Sequence, residues 1–171
     1  MKSIVIYSSL TGNTKQVAEA ITSVLPAGTP CVSMQELPSD VSSYDLVFAG
    51  FWVDKGTANK EARDVLGTLH NPHIALFATA GVPPQMAHAK ESLINAANCL
   101  PDGVEPVGTF ICQGKVDPKV IEMMYKMFPK GHSHGQSADR DARHKQAAVH
   151  PNEDDFKAAQ DFAKDILIKL S

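Results

Sequence analysis

Five short apolar runs alternate with amphipathic stretches, and this alternation constrains the fold more than any other feature of the chain. The runs are Ser3–Tyr7, Cys31–Met34, Leu46–Phe51, Ile74–Thr79 and Val107–Cys112. Four of them are apolar almost throughout, which is typical of strands that are covered on both faces. Strands that alternate with helices predict an α/β fold, a mostly parallel five-stranded sheet between two layers of helices.

The stretches between these runs repeat apolar residues every three or four positions, the period of a helix that buries one face. This spacing predicts five helices, whose apolar stripes are Val17/Ile21/Val24/Leu25, Ala62/Val65/Leu66/Leu69, Met86/Leu93/Ala97, Val120/Met124/Met127/Phe128 and Phe156/Ala159/Ala163/Ile166/Leu167/Leu170.

Length and charge narrow the range of functions. The 171 residues fit one domain, residues 1–171, and the net charge of −3 gives no indication of nucleic-acid binding. No run approaches the roughly 18–20 apolar residues of a spanning helix, so we expect a cytoplasmic protein with no membrane partner. The three cysteines, Cys31, Cys99 and Cys112, form no CxxC pair and predict neither a disulfide framework nor a zinc site.

Residues 129–151 break the alternation with a polar, histidine-rich stretch. We interpret it as a long loop that contains a short helix at Ser137–Ala147, and loops of this length are usually functional or disordered. His132 and His134 suggest a metal site only weakly, because no cysteine and no E-x-x-H helix accompanies them. A solvated loop without a metal is the preferred interpretation.

A polar stretch, SSLTGNT at Ser8–Thr14, separates the first predicted strand from the first predicted helix. Its hydroxyl and amide groups would lie beside the free N–H groups of the helix, and Gly12 would let a ligand approach the backbone. With no lysine or arginine present, the stretch suits a phosphate that is bound by dipoles and hydrogen bonds. The alternative is a turn with a capped helix, which accounts for one or two of these residues. Both the P-loop pattern and the G-x-G-x-x-G pattern are absent.

The hexapeptide Ser9-Leu10-Thr11-Gly12-Asn13-Thr14 after an N-terminal strand resembles the phosphate loop of flavodoxins. The resemblance extends over most of the chain through the order of strands and helices. It implies FMN as the cofactor and a parallel sheet in the order 2-1-3-4-5. It also assigns all six residues of the hexapeptide to cofactor binding.

Two further loops extend the resemblance. Trp52 could stack on a planar ligand or, alternatively, fold onto a helix; in flavodoxins an aromatic residue at this place stacks on the flavin, which implies a cofactor site at Phe51, Trp52 and Val53. A glycine commonly follows that aromatic residue in the family, and its peptide turns over when the flavin gains a proton, but here Val53 takes the position.

The loop after the fourth predicted strand, at Thr79, Ala80 and Gly81, resembles the third flavodoxin loop but lacks the second aromatic residue that many flavodoxins have. One face of the flavin then has no aromatic residue to cover it. Residues 129–151 are a candidate for covering this face or for docking a partner. Gln113 and Lys115 follow the fifth strand and could contact the flavin, a substrate or a partner. Cys112 is interpreted as packed, with no local sign of a lowered thiol pKa.

None of these residues is required as an acid, base or nucleophile, so we expect no catalytic residues. The resemblance implies an FMN-binding electron-transfer protein that supplies a partner reductase. The alternative is an FMN-dependent NAD(P)H oxidoreductase acting on a quinone or another small acceptor. A third class, a flavin-free binding module of the same fold, would be colourless. The sequence leaves monomer and dimer open.

Overall fold

The structure, a computed structural model, describes residues 1–171 and contains a single sheet between two layers of helices. The strands are β1 (Ser3–Tyr7), β2 (Cys31–Ser33), β3 (Leu46–Asp54), β4 (Thr57–Ala58), β5 (His73–Ala80) and β6 (Gly108–Gln113). The order is β2-β1-β3-β5-β6 with parallel pairs throughout, and β4 pairs antiparallel with the end of β3. Apart from the two-residue β4, which the sequence did not indicate, this confirms the predicted order 2-1-3-4-5.

Six α-helices connect and cover the strands: α1 (Asn13–Thr22), α2 (Lys60–Leu66), α3 (Ala87–Ala97), α4 (Pro118–Met127), α5 (Ala138–Ala147) and α6 (Glu153–Lys169). Two short 3-10 turns, Met34–Glu36 and Val41–Ser43, lie between β2 and β3. No helix combines the length and the hydropathy that crossing a membrane would need.

Two hydrophobic cores lie on opposite faces of the sheet because successive strand residues alternate between faces. In β3, Val47, Ala49 and Phe51 join the core under α2 and α3. Leu46 and Phe48 join the other core, which α1 and α6 cover. This arrangement places the amino end of α1 and the carboxyl ends of the parallel strands at one edge of the sheet.

Residues 115–150, which we call the α4–α5 segment, pack as a pair of helices. The Tyr125 hydroxyl donates to Asp141 Oδ1 (2.8 Å) and is 3.1 Å from His144 Nδ1, which joins α4 to α5. Phe128 stacks on His132 with ring centroids 4.6 Å apart. The helix predicted at Ser137–Ala147 is present as α5, with Ser137 as its N-cap accepting from the Arg140 amide (3.2 Å).

Candidate functional site

A cleft of about 370 Å³ lies at the carboxyl edge of the sheet, where the loops after β1, β3, β5 and β6 meet. Nine of the predicted cofactor residues line it: Leu10, Thr11, Asn13, Thr14, Trp52, Val53, Thr79, Ala80 and Gly81. The other four, Ser9, Gly12, Phe51 and Gln113, do not. The structure therefore brings the three predicted loops together around one space.

The loop between β1 and α1 is held in a shape that directs its amides outward. Gly12 has φ +91°, a left-handed conformation that a side chain would strain, although open space surrounds the position of a Cβ. Ser9 Oγ accepts from the amides of Gly12 (3.2 Å) and Lys15 (3.3 Å). Thr11 is exposed at the mouth of the cleft. Ser9 thus has a positioning contact inside the loop, and Thr11 offers its hydroxyl to a ligand.

The side chains of Asn13 and Thr14 fasten this loop to its neighbours. The hydroxyls of Thr14 and Thr79 are 2.9 Å apart in a buried hydrogen bond between α1 and the end of β5. Asn13 Nδ2 donates to the Lys115 carbonyl (2.8 Å), which joins α1 to the loop after β6. Both backbone amides lie in the first turn of α1, where amides have no partner within the helix and are free for an anion.

The end of β3 forms a hairpin that carries Trp52 into the cleft. Lys55 (φ 50°) and Gly56 (φ 78°) make the two-residue turn, for which positive φ at both positions is characteristic. Trp52 is half-buried and lines the cleft, which favours the stacking interpretation over one in which it folds onto a helix. Phe51 points the opposite way and is fully buried in the core. The side chain of Phe51 therefore packs in the core, and the cofactor contact expected of this residue stays a prediction.

Asn59 connects the Trp52 hairpin to the end of β1. Its amide donates to the Trp52 carbonyl (3.1 Å), and its Nδ2 donates to Ser8 Oγ (2.8 Å). Ser8 Oγ also donates to Glu61 Oε2 at the start of α2. Ser8 and Asn59 are both buried, so these bonds act in a dry environment and fix the hairpin relative to the Ser9–Thr14 loop.

Cys112 and Gln113, the last two residues of β6, are buried and do not line the cleft. Gln113 is 2 % exposed, and its Nε2 lies 3.4 Å from the Gly81 carbonyl, so it holds the loop after β5 and does not line the cleft. Burial raises the pKa of the Cys112 thiol to about 12, in agreement with its interpretation as a packed residue.

Helix α4 contributes a wall that the sequence analysis missed. Val116, Val120 and Met124 line the cleft from the loop after β6 and from α4. A Cβ on Gly81 would lie 2.6 Å from Val116 Cγ2, so this glycine lets the two loops close on each other. Two features of the sequence could have indicated this wall. Val120 and Met124 belong to an apolar stripe, which we interpreted as a buried helix face, and the loop after β5 has no aromatic residue.

The side chains that line the cleft include two acidic and two basic residues, so their charges cancel. Asp54 and Lys55 line it from the hairpin, and Lys115 and Asp117 line it from the loop after β6. No lysine or arginine lies in Ser8–Thr14. An anion at this loop would therefore be held by backbone amides and hydroxyls. No group of three or more His, Cys, Asp or Glu side chains is close enough together to hold a metal ion.

A family model described as a flavodoxin domain matches residues 4–164. The chain belongs to the flavodoxin family. A flavodoxin-like domain-containing protein BilS from Clostridioides difficile is 36% identical over 178 residues, which cover 100% of this chain and 99% of that relative. The protein of the same name from Clostridium symbiosum is 34% identical over 179 residues, with 95% and 94% covered. The predicted family is confirmed.

Solved structures share the fold of this flavodoxin-family chain. The Streptococcus pneumoniae TIGR4 flavodoxin has a TM-score of 0.57 at 14% identity, with 98% of each chain covered. Oxidised Flavodoxin 1 from Bacillus cereus has a TM-score of 0.54 at 16% identity, with 100% of each covered. A Lactobacillus acidophilus flavoprotein in complex with FMN has a TM-score of 0.51 at 19% identity and covers 65% of this chain and 93% of its own.

Proposed function

We propose that this protein binds FMN in the cleft and carries electrons to a partner reductase. The observation that supports the proposal is the position of Trp52 and the Ser9–Thr14 loop on one cleft of about 370 Å³. The amides at the start of α1 suit a phosphate, and Trp52 offers a flat apolar surface to a ring system. The cleft volume lies within the range of small-molecule sites.

The residues around the cleft fit a carrier that leaves the chemistry to its cofactor. FMN supplies the electron transfer when it is bound, while the protein binds it, orients it and limits its exposure to water. Burial raises the pKa of Cys112, in β6, to about 12, so the thiol remains protonated and unreactive at neutral pH. The proposal includes the cytoplasmic location that we expect from the sequence.

A reductase is the proposed partner because the family fold suits electron transfer between proteins. The sequence as a whole is similar to the accessory flavodoxin of bilirubin reductase, and two relatives carry the name flavodoxin-like domain-containing protein BilS. A reductase of that class is therefore the partner that we would test first.

An absorbance spectrum tests FMN binding directly. The protein is reconstituted with excess FMN, desalted and scanned for flavin bands. We expect the wild type to retain flavin and Thr11→Glu to lose at least about 100-fold in affinity, because a carboxylate at the mouth of the loop repels a phosphate. Thr68→Glu adds the same charge at an exposed residue outside the cleft and should retain flavin. A colourless wild-type protein would reject the proposal and leave Ser8–Thr14 as a capped turn.

The alternative, an NAD(P)H oxidoreductase, needs space for a nicotinamide against the flavin. The cleft volume of about 370 Å³ is at the small end for ligand sites, and Val120 and Met124 occupy the side that the loop after β5 leaves without an aromatic residue. We therefore favour the carrier. NAD(P)H oxidation by the purified, FMN-loaded protein alone would favour the enzyme, and its absence would favour the carrier.

A further inference from the structure

We propose that the exposed face of the α4–α5 segment is a docking surface for an acidic partner protein, next to the cleft. The inference rests on the proposed carrier function, since it concerns how a partner reaches the cofactor. The net charge of the whole chain, −3, would favour a basic partner, whereas this surface would favour an acidic one.

The charge of the protein is unevenly distributed along the chain. Residues 115–150 contain seven Lys and Arg against four Asp and Glu, a net charge of +3 within a chain whose total is −3. The remaining 135 residues therefore carry −6. A positive region on a negative protein creates a local field that can steer an acidic partner to one place.

Most of these positive charges are free to act on a partner. Only Lys126 of the seven has a carboxylate within 4.0 Å, Glu122 at 2.8 Å. Three of the four carboxylates of the segment have partners within it. Glu122 pairs with Lys126, Asp117 caps α4 by accepting from the Lys119 amide (2.8 Å), and Asp141 accepts from Tyr125 and Gln136. The basic side chains Lys115, Lys119 and Lys130 are exposed and unpaired.

The same helix exposes apolar side chains beside the charges. Met123 is 58 % exposed and Met127 is 67 % exposed, and none of the residues of α4 is fully buried. Lys119, Met123 and Lys126 recur at i, i+4 and i+7, so they follow one stripe of the helix. Methionine is a flexible side chain that suits adaptable protein contacts.

The surface borders the cleft. Val120 and Met124 line the cleft from α4, and Met127 lies one turn after Met124 and two turns after Val120 on the same side of the helix. Leu10, 65 % exposed, lines the cleft from the opposite loop. A partner that covered Met123, Met127 and Leu10 would sit directly over the cleft mouth, where electron transfer needs it.

The direction in which salt changes the rate of electron transfer shows whether this surface or the net charge of the protein governs docking. FMN-loaded protein is reduced with dithionite and mixed under argon with the soluble domain of cytochrome b5, an acidic haem protein, or with cytochrome c, a basic one. Raising the salt from about 0.01 M to about 0.15 M shortens the Debye length from about 30 Å to about 8 Å. We expect the rate with cytochrome b5 to fall about three- to tenfold. The net charge of −3 alone predicts that the same rate rises.

Charge-reversal variants locate the effect. Lys119→Glu/Lys130→Glu should lower the low-salt rate with cytochrome b5 about tenfold and remove its fall with salt, while Lys119→Arg/Lys130→Arg should behave as the wild type. The matched control is Lys164→Glu/Lys169→Glu. It makes the same charge change near the end of α6, where Lys169 donates to the Val107 carbonyl at the opposite edge of the sheet. Flavin content and melting temperature verify that each variant is folded.

The outcomes separate the two proposals. If neither haem protein is reduced, the carrier function fails. If both are reduced but the rate with cytochrome b5 does not fall with salt, the docking surface is wrong and the carrier function stands. The same conclusion follows if Lys119→Glu/Lys130→Glu and Lys164→Glu/Lys169→Glu lower the low-salt rate with cytochrome b5 equally. Binding to phosphatidylserine vesicles that Lys119→Glu/Lys130→Glu abolishes, with cytochrome b5 rates unchanged, would also overturn it in favour of a membrane surface.

Discussion

Two side chains in the carboxyl-terminal halves of β3 and β6 show how burial and position decide a residue's role. Trp52 directly follows the apolar run Leu46–Phe51, and Cys112 is the last residue of the apolar run Val107–Cys112. Trp52 is the single tryptophan and lines the cleft, while Cys112 is 2 % exposed and packs into the core under α6. The tryptophan is therefore available to a ligand, and the thiol is not.

Trp52 should report FMN binding by its own fluorescence. Because it is the single tryptophan, FMN that stacks on it should strongly quench the emission of the whole protein. Trp52→Leu should weaken FMN binding by roughly 5- to 30-fold, the equivalent of about 1–2 kcal/mol, and Trp52→Phe should recover most of it. Flavin titrations followed by fluorescence, or by flavin absorbance for the variants, give the affinities. Unquenched emission with flavin bound would place FMN elsewhere.

Cys112 should be inert to thiol reagents in the folded protein. Burial raises its thiol pKa to about 12, so at pH 8 almost no thiolate forms. The thiol is retained as the neutral form, and the stability it contributes is complete below about pH 9 and declines as the pH rises towards 12. Mass spectrometry after iodoacetamide treatment should find Cys112 modified only when denaturant is present. Rapid modification of the native protein would show that the site opens.

The hairpin formed by β3 and β4 has Val53 at the position where flavodoxins commonly have a glycine. Val53 pairs with Ala58 in regular antiparallel geometry, and the Trp52 carbonyl accepts from the Asn59 amide (3.1 Å). Positive φ is taken by Lys55 and Gly56 at the turn, two and three residues after Val53, where flavodoxins commonly have the glycine. A β-branched residue resists positive φ, so the peptide after Trp52 is held in one orientation.

We therefore expect little one-electron-reduced flavin to accumulate when the protein is reduced by light. In the family this peptide turns over when the flavin gains a proton, and it can then accept a hydrogen bond from the flavin. Here the peptide is held, so the one-electron-reduced flavin lacks this added hydrogen bond. Val53→Gly should increase the amount that accumulates, because glycine removes the conformational barrier. Absorbance during stepwise photoreduction measures it. A large amount in the wild type, or no change in Val53→Gly, would contradict this account.

The α4–α5 segment should support the cleft through the contacts between its helices. Deleting Gly131–Val149 removes α5 together with the partners of Tyr125 and Phe128, so α4 loses its support and the cleft loses a wall. Gly135→Ala is a milder test, since its Cβ would lie 2.1 Å from the Pro129 carbonyl oxygen. We expect weaker FMN binding or slower electron transfer in both, with the melting temperature of the sheet less affected. Unchanged FMN binding and unchanged electron transfer in both variants would show that the α4–α5 segment does not support the cleft.

At the scale of the whole molecule, the cleft exists only in the folded chain. Its walls come from segments separated by up to 114 residues, from Leu10 to Met124, which the sheet order brings together. A ligand at this place binds the native state and not the unfolded chain, so binding should stabilise the entire domain.

FMN should raise the melting temperature, and above the dissociation constant the rise should grow with the logarithm of the FMN concentration. At about 100 times the dissociation constant the stabilisation is about 2.7 kcal/mol, which for a domain of this size is roughly 5–10 °C. Differential scanning fluorimetry with and without FMN measures the shift, and Thr11→Glu should show much less of it. A shift of equal size in Thr11→Glu would place the ligand outside the Ser9–Thr14 loop.

Much of the architecture could be predicted from the sequence because strands and helices each give the sequence a local periodicity of apolar residues. Near-continuous apolar runs indicated the buried parallel strands, stripes at helical spacing indicated the helices, and the hexapeptide at Ser9–Thr14 indicated the family. The hairpin strand β4 was missed because two residues are too short to show an alternation. The sequence also did not show which of Phe51 and Trp52 faces the cleft. Adjacent strand residues face opposite sides, so the side chain of Phe51 packs in the core and Trp52 takes the side towards the cleft.

The amino-acid sequence by itself determined the elements, their order and the loop that suits a phosphate, since these depend on residues a few positions apart. The tertiary structure decided which side chains share the cleft. It placed Val120 and Met124 in a wall, turned Gln113 inward and paired Asn59 with both Ser8 and Trp52. These outcomes depend on contacts between segments distant in the chain, which are set by sheet register and by packing across the whole domain.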